Sequence, residues 1–253
     1  MKTKAELPMN YDNYVFDLYG TLVDIRTNEN KEEIWERLAM FYGYYGALYE
    51  SEELKNAYKK LVSGKELALK SELADNPKYE HESSPEIEIT DVFMDLYKEK
   101  GVEASHELAV HTGQFFRVLT TDFVRLYPGT KEMLSYLKEA GKKVYLLSNA
   151  QRIFTEYELR CIDIFKYFDA VLISSDYKTK KPDKRFFDAL IEKEQLDSQK
   201  TIYIGNDSKN DIEGARQVDF ATFYVKSDIS PANDSAPMAD YSVDDFTEWN
   251  YYK

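Results

Sequence analysis

The chain has 253 residues, of which 43% are hydrophobic, and its formal net charge is −13. Nucleic acids and anionic membranes are bound through basic surfaces, so this charge balance excludes both as expected partners. A small anionic substrate is still compatible, because it needs only local positive charge. The length is sufficient for a large buried core, either in one domain or in a domain that carries an insertion.

The cysteine content and the N-terminal residues indicate where the protein works. Cys161 is the only cysteine in the sequence, so no internal disulfide can form, which suits a reducing cytoplasm. Residues 1–10 do not resemble a signal peptide, and no apolar run approaches the length of a membrane span. We therefore expect a soluble, cytoplasmic protein, and the sequence does not indicate its oligomeric state.

The first predicted element is a short strand over residues 14–18, which delivers the carboxylate of Asp17 to its end. In an open α/β sheet, ligands bind beyond the carboxyl ends of the strands. Gly20 allows a sharp turn and a close approach to a ligand, and Thr21 adds a hydroxyl. A carboxylate held in this way can act as a covalent nucleophile. A strand that simply ends in a turn-forming Asp is the competing interpretation.

The sequence between Asp24 and Arg125 predicts helices and no convincing strand. Its apolar residues recur at helical spacing in four stretches, which are 32–45, 52–73, 85–100 and 105–118. Residues 74–84 break this pattern and are predicted to form a loop. We interpret residues 25–125 as an all-helical cap domain above the strand ends, inserted into a core domain of residues 1–24 and 126–253.

In the second half of the sequence, residue patterns typical of strands alternate with patterns typical of helices. Short β-branched and aromatic runs predict strands at 143–147, 170–173, 201–204 and 221–225. Helical patterns lie around them, at 131–140, 153–161, 185–194 and 211–218. Regular alternation of this kind is typical of an α/β fold with a parallel sheet and right-handed crossovers.

Polar residues follow two of the later strands. Ser148 and Asn149 offer a hydroxyl and an amide at the end of the strand over 143–147. The loop after the next strand contains Lys181, and Pro182 restricts the turn that follows it. A loop lysine is more often a solvated charge than a ligand-binding group. Its place in this ordered series favours the second role.

The strand over 201–204 is followed by a turn rich in oxygen ligands. Asn206, Asp207 and Asp211 lie in this turn, which opens a predicted helix. Grouped near Asp17, these side chains could hold a hard divalent cation such as Mg²⁺. Turns rich in Asn and Asp also cap helices without binding a metal, so the turn alone is a weak signal.

Taken in order, these segments resemble the haloacid dehalogenase superfamily, whose members use an Asp nucleophile and are mostly phosphatases. Residues 17–21, Ser148, Lys181 and residues 205–211 are similar to its four motifs, so the resemblance covers nearly the whole chain. The resemblance implies a Rossmann-like core with helices on both faces of a parallel sheet. The predicted helical insertion matches the superfamily's cap between the first and second motifs.

The resemblance also implies roles for individual residues. Asp17 would attack phosphorus or carbon, and Thr21 and Ser148 would hydrogen-bond the developing anion. Lys181 would neutralise charge on the nucleophile and the substrate. Asn149, which follows Ser148, and Tyr19, two positions after the nucleophile, complete the predicted set of catalytic side chains.

A magnesium ion, if used, would take its protein ligands from the first and fourth motifs. The resemblance implies the carboxylate of Asp17, the backbone carbonyl of Tyr19 and a carboxylate of the fourth motif, whose candidate metal-binding residues are Asn206, Asp207 and Asp211. Mg²⁺ is therefore the expected cofactor, and the substrate is expected to be a small anionic molecule.

The sequence departs from the phosphatase pattern at Tyr19. The phosphatases carry a second Asp there, which protonates the leaving oxygen and later activates water. An unperturbed phenol with a pKa near ~10 is a poor base at neutral pH, so the change could cost roughly 10²–10⁴ in rate. Tyr is similar to the haloacid dehalogenases themselves, whose halide needs no proton.

The fourth motif also departs from the phosphatase pattern, but the residues that it retains favour a phosphatase over a dehalogenase. Asn206 stands where the phosphatases usually carry Asp, but Asp207 and Asp211 are retained, which favours a magnesium site. Neither Arg26 nor Arg37 has the surroundings typical of dehalogenase substrate binding. The preferred interpretation is a magnesium-dependent phosphatase acting on a small phosphate monoester. The alternatives are a metal-independent 2-haloacid dehalogenase and a weakly active or non-catalytic binding protein.

Overall fold

The computed structural model describes residues 3–74, 85–232, 234 and 238–250. The regular elements in chain order are β1 (Thr3–Glu6), β2 (Asn13–Phe16), β3 (Val23–Thr27), α1 (Glu32–Tyr44), α2 (Ser51–Ala74), α3 (Ile89–Glu99), α4 (His106–Thr120), β4 (Thr121–Leu126), α5 (Thr130–Glu139), β5 (Lys143–Ser148), α6 (Arg152–Cys161), β6 (Ala170–Ile173), α7 (Lys184–Glu194), β7 (Thr201–Gly205), a π-helical turn (Ser208–Glu213), α8 (Gly214–Arg216), β8 (Ala221–Val225), β9 (Tyr241–Val243) and β10 (Phe246–Asn250).

A parallel sheet of six strands forms the core, in the order β6-β5-β2-β7-β8-β9. The first strand of the sheet in the chain, β2, lies in its interior, because Val15 pairs with Tyr145 of β5 on one side and with Tyr203 of β7 on the other. The carboxyl ends of β5, β2 and β7 therefore meet at one edge of the sheet. The predicted α/β fold with a parallel sheet is confirmed.

Helices cover both faces of this sheet. Successive side chains of a strand point to opposite faces, and those of Tyr14, Val15 and Phe16 in β2 are all buried. Tyr14 and Phe16 face a layer that contains Leu134 and Leu137 of α5. Val15 faces a second layer, formed with Phe186, Phe187 and Leu190 of α7. The apolar surface of both layers supplies the main driving force for this part of the fold.

The helices α1 to α4 form a separate apolar cluster, which we call the helical block. Its buried centre includes Trp35, Leu38, Phe93 and Phe116. Ser105 begins α4 as an N-cap, because its hydroxyl accepts a hydrogen bond from the Leu108 N–H. The four predicted helices are thus present, while the loop predicted at 74–84 lies outside the described residues after position 74. None of the described helices is both long and apolar enough to cross a bilayer.

The prediction that residues 25–125 are entirely helical is wrong at both ends. Strands β3 and β4 pair antiparallel, with Val23 opposite Leu126 and Ile25 opposite Val124. Each strand is short and mixes charged with apolar residues, and its partner lies about a hundred residues away, so local periodicity gives little warning. This ribbon crosses both predicted domain borders, and the division into two domains stays a prediction.

Three strands near the chain ends, β1, β9 and β10, were not predicted. Strand β10 pairs with β1, and its Trp249 packs edge-on against Phe16. The Trp249 indole N–H donates a hydrogen bond of 3.2 Å to the backbone carbonyl of Thr21. The last described strand therefore supports the loop that follows β2.

The antiparallel ribbon of β3 and β4 contains a buried carboxylate, Asp24. The loss of stability on removing its ion-pair partner can be measured. Asp24 of β3 is 5% exposed, and its Oδ2 accepts a 2.7 Å bond from Arg125 of β4. We expect Arg125→Met to lower the free energy of unfolding by about 1–3 kcal/mol, because it leaves a desolvated carboxylate unpaired. Denaturant unfolding followed by circular dichroism measures this loss.

The matched control is Lys31→Met. Lys31 pairs with Asp122 of the same ribbon, but both of these side chains are more than 30% exposed. Solvent screening makes that pair weak, so the control should change stability much less than Arg125→Met. Equal losses in the two variants would contradict a special role for the buried Asp24.

Candidate active site

The carboxylate of Asp17 lies at the carboxyl end of β2, between the ends of β5 and β7. Its backbone N–H donates to the carbonyl of Ile204, and the residue is 7% exposed. Gly20 follows with a φ of +88°, and an added Cβ there would come within 2.2 Å of the Asn206 side-chain amide. The loop after β2 thus packs against the loop after β7, and only glycine fits between them.

The ammonium of Lys181 is the central charge of the site. Its Nζ lies 2.7 Å from Asp17 Oδ1 and 2.6 Å from Asp211 Oδ1, and it donates to the Tyr203 hydroxyl at 2.8 Å. Lys181 is 3% exposed. Burial by itself lowers the pKa of Lys181, but the charges of the two carboxylates outweigh it and raise this pKa above its ordinary value. The side chain is therefore a fixed cation.

Asn149 holds the backbone of Lys181. Its Oδ1 accepts from the Lys181 N–H at 2.8 Å, and its Nδ2 donates to the Lys181 carbonyl at 3.0 Å. The peptide bond between Lys181 and Pro182 is cis. Asn149 was predicted as a catalytic side chain, but its amide is committed to the backbone here, so we reassign it as a positioning residue.

Asp211 was predicted as a metal ligand, and its contacts indicate a different role. Oδ2 accepts 3.0 Å bonds from the N–H groups of Asn206 and Asp207, while Oδ1 accepts from Lys181 and Tyr203. A Cβ at position 205 would lie 2.3 Å from this carboxylate, so Gly205 leaves the space that it occupies. Burial raises the pKa of Asp211. Asp211 is 1% exposed and one of its oxygens is occupied by the Lys181 ammonium, whereas Asp207 is only partly buried and contacts no cation in the described part of the chain. Asp211 therefore holds Lys181 and the loop.

Asp207 begins the turn that follows. Its Oδ1 accepts from the N–H groups of Lys209 and Asn210, and its Oδ2 accepts from the Asn210 side-chain amide at 2.6 Å. The predicted helix over 211–218 is wrong in form, because the chain makes a π-helical turn over Ser208–Glu213 before the short α8. The N–H groups of residues 211 and 212 both bond to the Asp207 carbonyl, which widens the turn.

Thr21 and Ser148 have different surroundings. Thr21 is fully buried, and its hydroxyl lies 3.4 Å from Asn206 Oδ1. The Nδ2 of Asn206 in turn approaches the Ser227 hydroxyl at 3.5 Å. The hydroxyl of Ser148 is buried at the end of β5 without a hydrogen-bond partner among the described residues. A buried hydroxyl in this state is unusual, and a bound ligand oxygen would satisfy it.

Tyr19 directs its hydroxyl towards α6 and the helical block. The phenol donates a 2.5 Å hydrogen bond to Glu158 Oε2 and lies 3.1 Å from the Thr155 hydroxyl. Arg117 of α4 approaches the same oxygen at 3.5 Å and donates to Glu158 at 2.6 Å. Burial, with the nearby negative charge of Glu158, raises the pKa of Tyr19 far above its ordinary value.

A cavity of about 230 Å³ opens above these groups. It is lined by Asp17, Tyr19, Asn149, Lys181, Asn206, Asp207, Asn210, Asp211, Ile229 and Pro231. The lining holds three carboxyl groups and a single ammonium. A larger, mainly apolar cavity of about 600 Å³ lies behind Arg117 and Glu158, and its lining does not include Asp17. The smaller cavity is therefore the candidate active site.

The donor set around this cavity fits a hard divalent cation. The carboxylates of Asp17 and Asp207, the side-chain oxygen of Asn206 and the backbone carbonyl of Tyr19 are oxygen ligands of the kind that Mg²⁺ takes. Across the residues that the structure describes, no three carboxylate, His or Cys side chains form a ready-made metal cage. Mg²⁺ commonly binds through one or two carboxylates and several waters, so a complete protein cage is not required.

Sequence reasoning missed three side chains that shape the site. Tyr203 lies within an apolar strand, and its single hydroxyl hydrogen is shared between the Leu147 carbonyl at 3.0 Å and Asp211 Oδ1 at 3.1 Å. Glu158 and Arg117 lie in predicted helices, where charged residues are usually solvated. A buried strand position with a polar end was a weak signal for Tyr203, but the pairing of Glu158 with Arg117 depends on helix packing that the sequence does not display.

Comparison with known proteins identifies the family. Residues 11–219 match the haloacid dehalogenase-like hydrolase family, and the chain belongs to it. The chain is 30% identical to the phosphoglycolate phosphatase of Vibrio parahaemolyticus over 161 residues, which are 62% of this chain and 61% of that enzyme. The match thus spans about three fifths of the relative's length. The predicted family and the prediction of a hydrolase are confirmed.

Solved structures agree on the fold. A 2-haloacid dehalogenase from Pseudomonas syringae pv. Tomato has a TM-score of 0.57 and 19% identity, covering 92% of this chain and 94% of that chain. The HAD-hydrolase YfnB from Bacillus subtilis, which was solved bound to magnesium, has a TM-score of 0.51 and 21% identity at the same coverage of 92% and 94%. At these identities the likeness establishes the Rossmann-like fold alone.

The role of Tyr203 can be tested against a neighbouring tyrosine. We expect Tyr203→Phe to lower turnover of an aryl phosphate by roughly tenfold and stability by about 1–2 kcal/mol, because Lys181 and the Leu147 carbonyl each lose a partner. The measurements are kcat and the free energy of unfolding.

The matched control is Tyr145→Phe, since Tyr145 and Tyr203 flank Val15 on adjacent strands and pack in the same layer. The Tyr145 hydroxyl makes no hydrogen bond within the described part of the chain, so this variant should retain its turnover. A loss of kcat in the control as large as that in Tyr203→Phe would show that packing, rather than the hydroxyl, is responsible.

Proposed function

We propose that this hydrolase is a magnesium-dependent phosphatase that acts on a small phosphate monoester through the nucleophile Asp17. The charge balance of the 230 Å³ cavity carries the proposal, since its lining includes the carboxyl groups of Asp17, Asp207 and Asp211, and its one ammonium, Lys181, is already paired with two of them. A phosphate dianion entering such a site would meet net repulsion, which a bound divalent cation would remove. The phosphatase activity named for the Vibrio parahaemolyticus relative supports the same conclusion.

The side chains around Asp17 suit attack on phosphorus. The Asp17 carboxylate would form a bond to phosphorus, and Lys181, already 2.7 Å from it, would balance the charge of nucleophile and substrate. The unpartnered hydroxyl of Ser148 and the hydroxyl of Thr21 are proposed to donate to phosphoryl oxygens. Mg²⁺, held by the oxygen ligands at Asp17, Tyr19 and the fourth-motif turn, would supply further charge neutralisation.

A dehalogenase remains the second candidate, and one observation favours it. The phenol of Tyr19 is committed to Glu158 and is not presented as an acid for a leaving oxygen. Halide needs no such acid, so metal-independent carbon–halogen hydrolysis would tolerate this arrangement. A binding protein with little or no activity is the third candidate.

The nucleophile is tested by Asp17→Asn. We expect kcat for an aryl phosphate to fall by several orders of magnitude. The variant should still fold, with a lower thermal stability, because Lys181 keeps Asp211 but loses one of its two charged partners. The loss should appear in kcat rather than in KM. Retained turnover by the folded variant would exclude the covalent mechanism.

Metal dependence separates the two enzyme classes. We expect a chelator to abolish aryl phosphate hydrolysis and added Mg²⁺ to restore it, and Asp207→Asn to raise the Mg²⁺ concentration needed for half-maximal rate. Chelator-resistant release of halide from a 2-haloacid, without phosphatase activity, would instead establish the dehalogenase. Absence of both activities would favour the binding protein.

A further inference from the structure

The phenol of Tyr19 is held by two helices at once. Its proton is donated to Glu158 of α6 at 2.5 Å, and Thr155, one turn earlier on α6, lies 3.1 Å from the same oxygen. The Glu158 side chain is 9% exposed and receives a second bond, at 2.6 Å, from Arg117 of α4. The Arg117 guanidinium also lies 5.7 Å from the centre of the Tyr19 ring. These contacts hold the hydroxyl against α6 and the ring near Arg117 of α4.

A phenol held in this way neither gives nor takes a proton in the cavity. Its hydrogen points at a carboxylate on α6, and turning it towards Asp17 would break the bond to Glu158. The residue two positions after the nucleophile is therefore a positioning group rather than an acid or base.

The other charged side chains described around the cavity already make hydrogen bonds within the protein. Lys181 donates to three oxygens, both oxygens of Asp211 accept bonds, and Asp207 accepts three bonds from its own turn. The other polar lining groups are the amides of Asn149, Asn206 and Asn210, which do not exchange protons at neutral pH. No described side chain of the lining is placed to protonate a leaving oxygen.

We propose, on the basis of the proposed phosphatase activity at Asp17, that the substrate is not an ordinary phosphate ester of an alcohol but a small acyl phosphate, the mixed anhydride of phosphate with a carboxylic acid. Its leaving oxygen departs as a carboxylate, which is a weak base with a pKa of about 4 and needs no proton. An alkyl phosphate must instead expel an alkoxide, which is so basic that it requires a general acid. The cavity of about 230 Å³ limits the acyl group to a small one.

The reaction balances without a proton donor. Asp17 forms an Oδ–P bond as the P–O bond to the acyl group breaks, and that bonding pair leaves on the carboxylate. Water then attacks phosphorus, the Oδ–P bond breaks, and its electron pair returns to Asp17. Both protons of the water leave with inorganic phosphate as dihydrogen phosphate.

The test compares leaving groups on the Mg²⁺-loaded native protein. The measured quantity is kcat/KM for acetyl phosphate, for aryl phosphates of graded phenol pKa and for a small alkyl phosphate, each corrected with Asp17→Asn for spontaneous hydrolysis. We expect kcat/KM to fall steeply along the aryl series as the pKa of the leaving phenol rises. The kcat/KM for acetyl phosphate should exceed that for the alkyl phosphate by at least about 10²-fold, since a general acid usually contributes roughly 10²–10⁴. An alkyl phosphate within about tenfold of acetyl phosphate would overturn the proposal.

Two variants at Tyr19 separate positioning from catalysis. Tyr19→Phe removes the hydroxyl, and we expect the dependence on leaving-group pKa to keep its slope, since no acid is lost. Tyr19→Asp supplies a carboxyl group, and we expect it to flatten the slope by accelerating the alkyl phosphate most. A steeper slope in Tyr19→Phe would show that the phenol is itself the acid and would overturn the proposal.

Failure of the proposed function gives a different result. If the native protein, with Mg²⁺ present, hydrolyses no phosphate faster than Asp17→Asn does, both the phosphatase and the acyl phosphate proposals fail together. If it hydrolyses aryl and alkyl phosphates with a shallow slope, the phosphatase stands and only the substrate class is wrong.

Discussion

The ammonium of Lys181 is the charge on which the arrangement of the site depends. It lies between two carboxylates that would repel each other in its absence, one at the end of β2 and one in the turn after β7. A buried lysine with a single carboxylate would be costly, whereas two carboxylates and the Tyr203 hydroxyl satisfy its three donors. The parallel sheet brings the ends of β2 and β7 together, and the single cation of Lys181 links the carboxylates that follow them.

The positions of the motifs were predictable because they follow from the sheet. Asp17 directly follows a buried strand, Ser148 and Gly205 each end one, and parallel strands bring their carboxyl ends to one edge of the sheet. The roles of neighbouring side chains were less predictable. Asp207 and Asp211 look equivalent in the sequence, but one carboxylate caps a turn and the other turns inward to the lysine, a choice made by hydrogen-bond geometry.

The parts that the sequence did not reveal depend on contacts between distant segments. Strand β3 pairs with β4, about a hundred residues away in the chain, and the buried Glu158 is paired with Arg117 of another helix and with Tyr19. A charged residue in an amphipathic helix is ordinarily solvated, so local pattern alone assigns it to the surface. The sequence marks Tyr19 as a departure from the phosphatase pattern, but only the structure shows that its hydroxyl bonds to the paired Glu158 and Arg117.

The hydrogen bond from Trp249 to the Thr21 carbonyl has a consequence for the order in which the protein forms. The two residues are 228 positions apart, and the loop that Trp249 supports begins directly after the nucleophile. During synthesis from the N-terminus, the first strand of the sheet emerges long before β5 and β7, its neighbours, and longer still before this tryptophan. The loop that follows the nucleophile therefore cannot gain this hydrogen bond until residue 249 has been synthesised.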